Sequence, residues 1–265
     1  MFPILLRFGP LTLHTYGFMM ALGVALGLSF VFIHAKKRGL PASKLLDMSF
    51  YTLIISLLGA KLVLLIGNFS YYLEHPSQLF SLARSGGVFQ GGLTFGILFS
   101  LFYLHKNRIP IWKTADIVGP ALALGHGFGR IGCFSAGCCF GRECLLPWKV
   151  VYTNEYAHEL TGVPLDLPLH PTPLYEAGLN FFNFFVLFLI LKKKRFDGQV
   201  FSFYIINYSL IRYFTEFYRG DHPLKAFIVQ GSSPYLSLSF AQLFCILGLI
   251  GGTFLFFILK KRKSA

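Results

Sequence analysis

Seven apolar stretches, each about as long as the hydrocarbon core of a bilayer requires, constrain this chain more than any other feature. They cover residues 17–34, 48–67, 87–105, 115–140, 173–191, 199–218 and 239–259. Only 13% of the residues are charged and 54% are hydrophobic, whereas about a quarter of a typical soluble domain is charged. The sequence therefore predicts an all-α integral membrane protein with about seven transmembrane helices, and we expect residues 1–265 to form a single polytopic membrane domain.

The basic residues predict how the chain is oriented in the membrane. Fifteen of the 24 lysine and arginine residues follow the first, third, fifth and seventh apolar stretches. Because such residues concentrate in cytoplasmic loops, we expect those loops and the carboxyl terminus inside and the amino terminus outside. The net charge of +13 then reflects membrane topology, and we expect no nucleic-acid partner.

The remaining polar segments would face outward. Residues 1–16 are too short to span and are expected to form an interfacial lead-in, while residues 68–86 are expected to lie along the membrane face. Residues 141–172 contain four prolines, which oppose a continuous helix. We expect residues 141–172 and 219–237 to form outward-facing loops around a site, as a cap.

Six glycines interrupt residues 125–143, at the end of the fourth apolar stretch. Glycine allows a backbone or a ligand to approach closely. Arg130 lies inside this apolar segment, where a charged side chain is costly and usually functional. Since guanidinium groups bind phosphate bidentately, Arg130 and Arg142 predict a site for a phospholipid headgroup. Snorkelling of an arginine to the interface is the structural alternative.

A second polar group lies in residues 169–176, LHPTPLYE. Thr172 is a candidate N-cap residue, with Pro173 in the first helical position. Glu176 would then lie within the first turn, where the helix dipole stabilises a carboxylate without any further role. His170 alone is a weak signal of catalysis.

A third polar group lies in residues 208–221, YSLIRYFTEFYRGD. Arg212 and Glu216 are four residues apart and share one face of a helix. Tyr208 lies one turn earlier and Arg219 follows closely. A single arginine–glutamate pair can be a structural lock, but four polar residues on one face favour a polar cavity inside a helix bundle.

Three further polar residues have two interpretations each. Gln90 lies between two glycine pairs in GGVFQGG, which predicts either a helix-packing seam or a polar side chain in a cavity. His14 and Tyr16 precede the first apolar stretch, where an interfacial aromatic belt explains Tyr16 as well as a site does.

The cysteines lack the CxxC pair of common zinc sites, so we expect no metal and no cofactor. The most favoured role of Cys133, Cys138 and Cys139 is packing as small apolar side chains. A disulfide that involves Cys144 is an alternative if that loop faces an oxidising compartment. A thiol oxidoreductase that uses Cys138 and Cys139 is disfavoured, because adjacent cysteines rarely perform CxxC chemistry.

Taken in chain order, HTYGFMMALG, GAKL, GGVFQGG, GRIGCFSAGCCFGR, HPTPLYE and RYFTEFYRGD resemble the prolipoprotein diacylglyceryl transferase family of bacterial inner-membrane enzymes. The resemblance runs over nearly the whole chain. It implies a multi-pass protein of the bacterial cytoplasmic membrane. Such enzymes move the diacylglyceryl group of phosphatidylglycerol onto the thiol of the lipobox cysteine in a prolipoprotein signal peptide, and glycerol phosphate leaves.

The resemblance also implies roles for individual residues. Arg130 matches the signature arginine of the family, and Arg212 matches an arginine of headgroup binding or gating. The catalytic residues that we expect are Arg130, Arg212, Glu216, His170, Glu176 and Gln90. The expected phosphatidylglycerol-binding residues are Arg130, Arg142, Tyr16, His14, Tyr208, Arg219, Gly129 and Gly132.

The chain departs from the family pattern, which is close to GRxGNFxNxExxG. Cys133 and Ala136 stand where that pattern has asparagines, and Cys138 stands where it has glutamate. Gln90 stands where histidine or tyrosine is usual, and glutamine cannot act as a general base. The phosphate-binding half of the site is thus kept, while the acid–base half is altered. The alternatives for proton removal are His126, His170 and Glu176.

Two other functions stay open at this point. The substituted motif is compatible with a related phospholipid-headgroup transferase that has a different acceptor. A non-catalytic lipid-binding or transport protein is the other alternative, although transporters often show internal repeats and this sequence shows none.

Overall fold

The computed structural model describes residues 2–9, 11–75, 78, 87–221, 227–229 and 238–264. The helices of this part are α1 (Thr15–Lys37), α2 (Ala42–Gly67), α3 (Phe69–Glu74), α4 (Phe89–Lys106), α5 (Ile111–Ala136), α6 (Glu155–Thr161), α7 (Thr172–Lys193), α8 (Gln199–Glu216) and α9 (Phe240–Ser264). Apart from the short helices α3 and α6, each of them corresponds to one of the predicted apolar stretches.

Four helices of the described part are long and apolar enough to cross a membrane, namely α1, α2, α7 and α9. Large apolar side chains on them, such as Leu57, Phe182 and Phe254, are exposed, as expected of surfaces that face lipid. The predicted all-α membrane class is confirmed, and the count of seven spans stays a prediction.

Short antiparallel ladders accompany the helices. They are β1 (Ile4–Phe8) with β2 (Leu11–His14), β3 (Val150–Val151) with β4 (Pro168–Leu169), and β5 (Phe227–Val229) with β6 (Leu238–Ser239). The segment predicted as an interfacial lead-in therefore contains a hairpin, which the backbone N–H of Thr15 fastens by donating to the carbonyl of Pro3 at 3.0 Å. Residues 141–172 form no continuous helix, as the prolines predict; besides the β3–β4 ladder they contain the short helix α6 and the first residue of α7.

The chain divides into two compact units, Met1–Phe30 with Ala115–Ala265, and Val31–Thr114. In the first unit, α8 packs against α7 and α9, and in the second α2 packs against α4. Gln90 lies in the second unit, and the other candidate site residues lie in the first. The single domain that the sequence predicts stays a prediction.

Small residues allow close helix contacts in the first unit. A Cβ on Gly23 of α1 would lie 2.9 Å from Cβ of Phe128 and 3.0 Å from the carbonyl oxygen of Gly125, both on α5. A Cβ on Gly248 of α9 would overlap Oγ of Ser209 on α8. Helices in lipid gain little from hydrophobic burial against each other, so this close van der Waals contact is a main source of their association.

Asp116 joins α5 to the beginning of α8. Its fully buried carboxylate accepts hydrogen bonds from Nζ of Lys194 at 2.8 Å and from the backbone N–H groups of Gly198 and Phe201 at 2.9 and 3.0 Å. The two backbone donors belong to the N-terminus of α8, where the helix dipole favours a negative charge. The carboxylate is thus compensated by an ammonium group and by a helix end.

Replacement of Asp116 tests the contribution of this buried contact to stability. Asp116→Ala leaves Lys194 and the N-terminus of α8 without their buried acceptor, and we expect a destabilisation of about 3 kcal/mol or more. Asp197 also pairs with Lys194, but its side chain is 53% exposed, so Asp197→Ala should cost less than about 1 kcal/mol. Thermal unfolding of both variants in one detergent provides the comparison, and equal shifts would show that Asp116 has no special structural role.

Candidate active site

Three arginines from different parts of the chain converge on the carboxylate of Glu176. Glu176 lies on α7 and is 2% exposed. Nε of Arg130 on α5 lies 2.8 Å from Oε2, whereas Nη1 of Arg212 on α8 lies 3.4 Å from Oε1. Nη1 of Arg219, just after α8, lies 3.9 Å from the same Oε1. One buried anion therefore binds α5, α7 and α8 together.

Two further carboxylates complete the ion pairs of this cluster. Arg212 and Glu216 pair at 2.6 Å across one helical turn, which confirms that they share a helix face. Oε1 of Glu216 also accepts a hydrogen bond from Oγ of Ser239 at 2.7 Å. Arg219 donates to both oxygens of Asp221, from Nε at 2.9 Å and from Nη2 at 2.5 Å. The three arginines are thus balanced by three carboxylates in a largely buried site.

His126 and Tyr208 lie beside Arg130. Nε of Arg130 donates to Nε2 of His126 at 3.2 Å, so this ring nitrogen acts as an acceptor. The His126 ring lies 5.2 Å from the Tyr208 ring, which places the predicted residue Tyr208 on the face of α8 that meets α5.

Three loop segments, residues 140–143, 168–170 and 218–220, meet at a backbone junction. Four backbone hydrogen bonds join them, from Gly141 N–H to the His170 carbonyl, from His170 N–H to the Arg142 carbonyl, from Arg142 N–H to the Tyr218 carbonyl and from Gly220 N–H to the Phe140 carbonyl. The side chain of Arg142 takes part as well, because its Nε donates to the carbonyl of Arg219 at 2.9 Å. The junction therefore fixes the segment that carries Arg219.

His170 belongs to an aromatic group at this junction. Its Nδ1 lies 3.2 Å from the hydroxyl of Tyr175, which accepts a hydrogen bond from Nε1 of Trp148 at 2.7 Å. The rings of His170, Tyr175 and Tyr218 contact one another edge to face. Partial burial lowers the pKa of His170 below its ordinary value, which favours the neutral imidazole at neutral pH.

The structure locates the other predicted residues as follows. His14 stacks on Tyr156 at 6.2 Å, and Tyr16 is exposed at the beginning of α1. A Cβ on Gly132 would lie 3.2 Å from Cδ2 of Tyr16, and one on Gly129 would lie 3.1 Å from Sδ of a methionine on α1. These glycines therefore set the approach of α1 to α5. In the second unit, the predicted catalytic residue Gln90 is exposed in the first turn of α4.

Three sequence predictions about α7 were wrong. The helix begins at Thr172 and Pro171 occupies the N-cap position, so Thr172 is not the cap and Pro173 is not the first helical residue. The hydroxyl of Thr172 instead donates to the carbonyl of Cys139 at 2.6 Å. Glu176 lies beyond the first turn, so its ion pairs rather than the helix dipole account for its burial.

The cysteines form no disulfide, and three of them lie closer together than the sequence predicts. All five are thiols outside disulfides, so the disulfide considered for Cys144 is not formed. The Sγ atoms of Cys133, Cys138 and Cys139 lie within 4.8 Å of one another. Their spacing in the sequence gave no sign of this, because the grouping depends on the turn that follows α5.

Sequence reasoning missed four polar residues of this region. Asp221 and Ser239 carry no pattern that marks them as partners of Arg219 and Glu216. Asn180 and Asn183, which are buried in α7, do carry one, since they follow Glu176 by four and seven residues and so extend one polar face. Asn183 accepts a hydrogen bond from the side chain of an asparagine on α8 at 2.9 Å.

Gly220 provides a test of the junction. A Cβ there would lie 2.5 Å from the carbonyl oxygen of Gly141, so Gly220→Ala should force the two segments apart and destabilise the protein by about 1–3 kcal/mol. Gly178→Ala in α7 is the matched control, because no atom lies within 4 Å of its added Cβ. Thermal unfolding should show a lower midpoint for Gly220→Ala alone, and a Gly220→Ala protein as stable as the control would exclude a tightly packed junction.

Comparison with known proteins shows the family of the chain. The chain matches a sequence model of the family described as prolipoprotein diacylglyceryl transferase over residues 3–258. Similar proteins include the phosphatidylglycerol–prolipoprotein diacylglyceryl transferases of Clostridium tetani, 35% identical over 99% of both chains, and of Bordetella avium, 32% identical over 99% of this chain and 96% of the relative. The phosphatidylglycerol–prolipoprotein diacylglyceryl transferase 2 of Clostridium perfringens is 34% identical over 96% of this chain and 94% of the relative. The chain belongs to the prolipoprotein diacylglyceryl transferase family.

Proposed function

We propose that this membrane protein transfers the diacylglyceryl group of phosphatidylglycerol to the lipobox cysteine thiol of prolipoproteins, with release of glycerol phosphate. The observation that carries the proposal is the convergence of Arg130, Arg212 and Arg219 on one buried carboxylate. Groups arranged to bind carboxylate oxygens can bind phosphate oxygens by the same charge-assisted hydrogen bonds. Both the donor and the acceptor appear in the names of the relatives.

The chemistry requires positive charge where the leaving group forms. The acceptor sulfur attacks a glycerol carbon of the lipid, a C–S bond forms, and the C–O bond to phosphate breaks. The electron pair of the broken bond leaves on glycerol phosphate. Preorganised donors that face this developing charge lower the barrier, because they need no reorganisation during the reaction.

Arg130 is the arginine best suited to this role. Its contacts within the described residues, with Glu176 and His126, both use Nε. Its two Nη groups are the donors that remain for a phosphate, and a guanidinium can hold two anions at once because its five N–H groups point in different directions. Glu176 then positions the guanidinium while Nη binds the headgroup.

We also propose roles for the other predicted residues. We assign Arg212 and Arg219 to headgroup binding, with Glu216 as the residue that positions Arg212. Arg142 acts by holding Arg219, and Tyr208 by packing against His126. The remaining members of the proposed set are His14, Tyr16, Gly129, Gly132, His170 and Gln90. Gln90 cannot accept a proton at neutral pH, so proton removal belongs to another group.

The proposed location is the bacterial cytoplasmic membrane. The apolar stretches favour seven spans, and the positions of the basic residues favour an outer amino terminus and a cytoplasmic carboxyl terminus. Residues 141–172 and 219–237 would then face outward, and the arginine cluster would lie toward the outer leaflet, where a signal peptide can reach it.

A related transferase with a different acceptor is the second candidate. The observation that favours it is the presence of Cys133 and Cys138 at positions where the family pattern has asparagine and glutamate. This change affects the acid–base part of the site and leaves Arg130 in place, so it bears on the acceptor rather than on the lipid.

A transfer assay tests the proposal. Purified protein receives phosphatidylglycerol labelled separately in its acyl chains and in its headgroup glycerol, together with a lipobox peptide. We expect acyl label on the peptide and release of labelled glycerol phosphate. Arg130→Ala should reduce both by at least about 100-fold, the effect of losing a group that stabilises the transition state. Arg195→Ala is the matched control, since Arg195 is exposed beyond the opposite end of α7 from Glu176.

The other outcomes discriminate between the candidates. Release of glycerol phosphate without labelled peptide would indicate a different acceptor. If protein shown to be folded neither releases glycerol phosphate nor labels the peptide, the result would contradict a transferase. Equal activity of the Arg130→Ala and Arg195→Ala proteins would remove Arg130 from the mechanism.

A further inference from the structure

The turn after α5 gathers three thiols that the proposed function does not use. Cys133 lies in the last turn of α5, and Gly137 then takes a left-handed conformation with φ of +84°. The backbone N–H groups of Gly137 and Cys138 both donate to the carbonyl of Cys133, at 3.0 and 3.1 Å. The chain thus returns to the helix end, and the Sγ atoms of Cys133, Cys138 and Cys139 lie within 4.8 Å of one another.

The backbone at Cys139 is held in an unusual conformation. Its φ of +60° lies in the left-handed region, which is unfavourable for a residue that has a Cβ. The hydroxyl of Thr172 stabilises it by donating to the Cys139 carbonyl at 2.6 Å. Packing of a small apolar side chain does not require such a conformation, whereas outliers of this kind cluster at functional sites.

The separation of the sulfurs suits a zinc-class cation. Zn–S bonds of about 2.3 Å in tetrahedral geometry place two sulfurs about 3.8 Å apart. Sulfurs within 4.8 Å of one another therefore need to move by about 1 Å or less, which small side-chain rotations supply.

The charges around the thiols fit the same cation. Three thiolates with one divalent cation carry a net charge of −1. Arg130 and Arg219, which are paired with carboxylates, also lie within electrostatic range of Cys139. Their guanidinium groups are more compatible with an anionic metal–thiolate centre than with a bare metal ion.

We propose that Cys133, Cys138 and Cys139 bind one thiophilic divalent cation of the zinc class, and that its fourth coordination position takes the acceptor thiol. Catalytic zinc sites keep three protein ligands and one open position, and a thiol that coordinates the cation loses its proton. The metal site stands independently, whereas the role of its fourth position rests on the proposed transferase function.

This arrangement explains how the acceptor thiol can lose its proton although the acid–base residues of the motif are altered. Gln90 cannot accept a proton, Nε2 of His126 accepts a hydrogen bond from Arg130, and the Glu176 carboxylate is bound by arginines. Among the alternatives for proton removal, the imidazole of His170 is thus the competitor of the cation. On the cation, the acceptor thiol releases its proton to water. The thiolate then attacks the glycerol carbon, the C–S bond forms as the C–O bond breaks, and the thioether leaves the cation.

Titration with Co²⁺, a spectroscopic probe of zinc sites, tests the metal site. Purified, reduced and chelator-treated protein should bind one Co²⁺ per chain with intense sulfur-to-metal charge-transfer absorption. Cys138→Ala should weaken binding by more than about 100-fold, which exceeds the effect of losing a supporting group around a metal. Cys144→Ala and Cys245→Ala remove buried thiols elsewhere in the chain and should leave the spectrum unchanged. A disulfide among the three cysteines of the fully active protein, no Co²⁺ bound by folded protein, or binding that survives Cys138→Ala would overturn the site.

The fourth position is tested on the Co²⁺-loaded protein and in the transfer assay. A lipobox peptide should increase the charge-transfer absorption, and a peptide with serine in place of the acceptor cysteine should not. Chelator treatment should lower transfer by about 100-fold, the usual contribution of proton removal, and Zn²⁺ should restore it. Full transfer by metal-free protein would overturn this role while the proposed function stands. A protein that binds Co²⁺ but transfers no lipid, either with or without the metal, would instead refute the proposed function and with it the fourth-ligand role.

Discussion

The buried carboxylate of Glu176 is the constraint on which the rest of the first unit depends. A carboxylate in an apolar interior is costly unless it is paired, and the same holds for each arginine that faces it. The pairs with Arg130 and Arg212 join α5 to α7 and α7 to α8. Helices in lipid gain little from hydrophobic burial against one another, so the charges specify which faces meet.

The same pairing prepares the site for an anion. Glu176 and Glu216 hold the guanidinium groups of Arg130 and Arg212 in fixed orientations before any substrate binds. Under the proposed function, a headgroup phosphate would therefore meet donors that are already in place, and it would not have to order long, flexible side chains. The backbone junction extends this order to Arg219, because Arg142 and the segments around Gly141 and Gly220 fix the chain on which Arg219 lies.

Local features of the fold were predictable from the sequence, whereas contacts distant in the sequence were not. Hydropathy and basic stop signals located α7 within two residues of its ends, and the spacing of Arg212 and Glu216 gave their pairing, because each depends on neighbouring residues alone. The pair of Arg130 with Glu176 joins residues from two helices, and no pattern in one segment reports it. The local sequence predicted Thr172 as an N-cap. In the structure its hydroxyl instead donates to the carbonyl of Cys139, a residue distant in the sequence.

The cysteines show how tertiary structure changes the meaning of a sequence pattern. In the sequence, Cys138 in place of a glutamate reads as the loss of a carboxylate from a site rich in arginine. In the structure, Cys138 lies beside Cys133 and Cys139, within a region where Arg130 and Arg219 supply positive charge. Neutral thiols carry no negative charge, whereas the thiolates of the proposed metal site would be anionic beside these arginines. The proposed metal site would therefore supply an acceptor thiolate close to Arg130, which links the divergent part of the motif to its arginine.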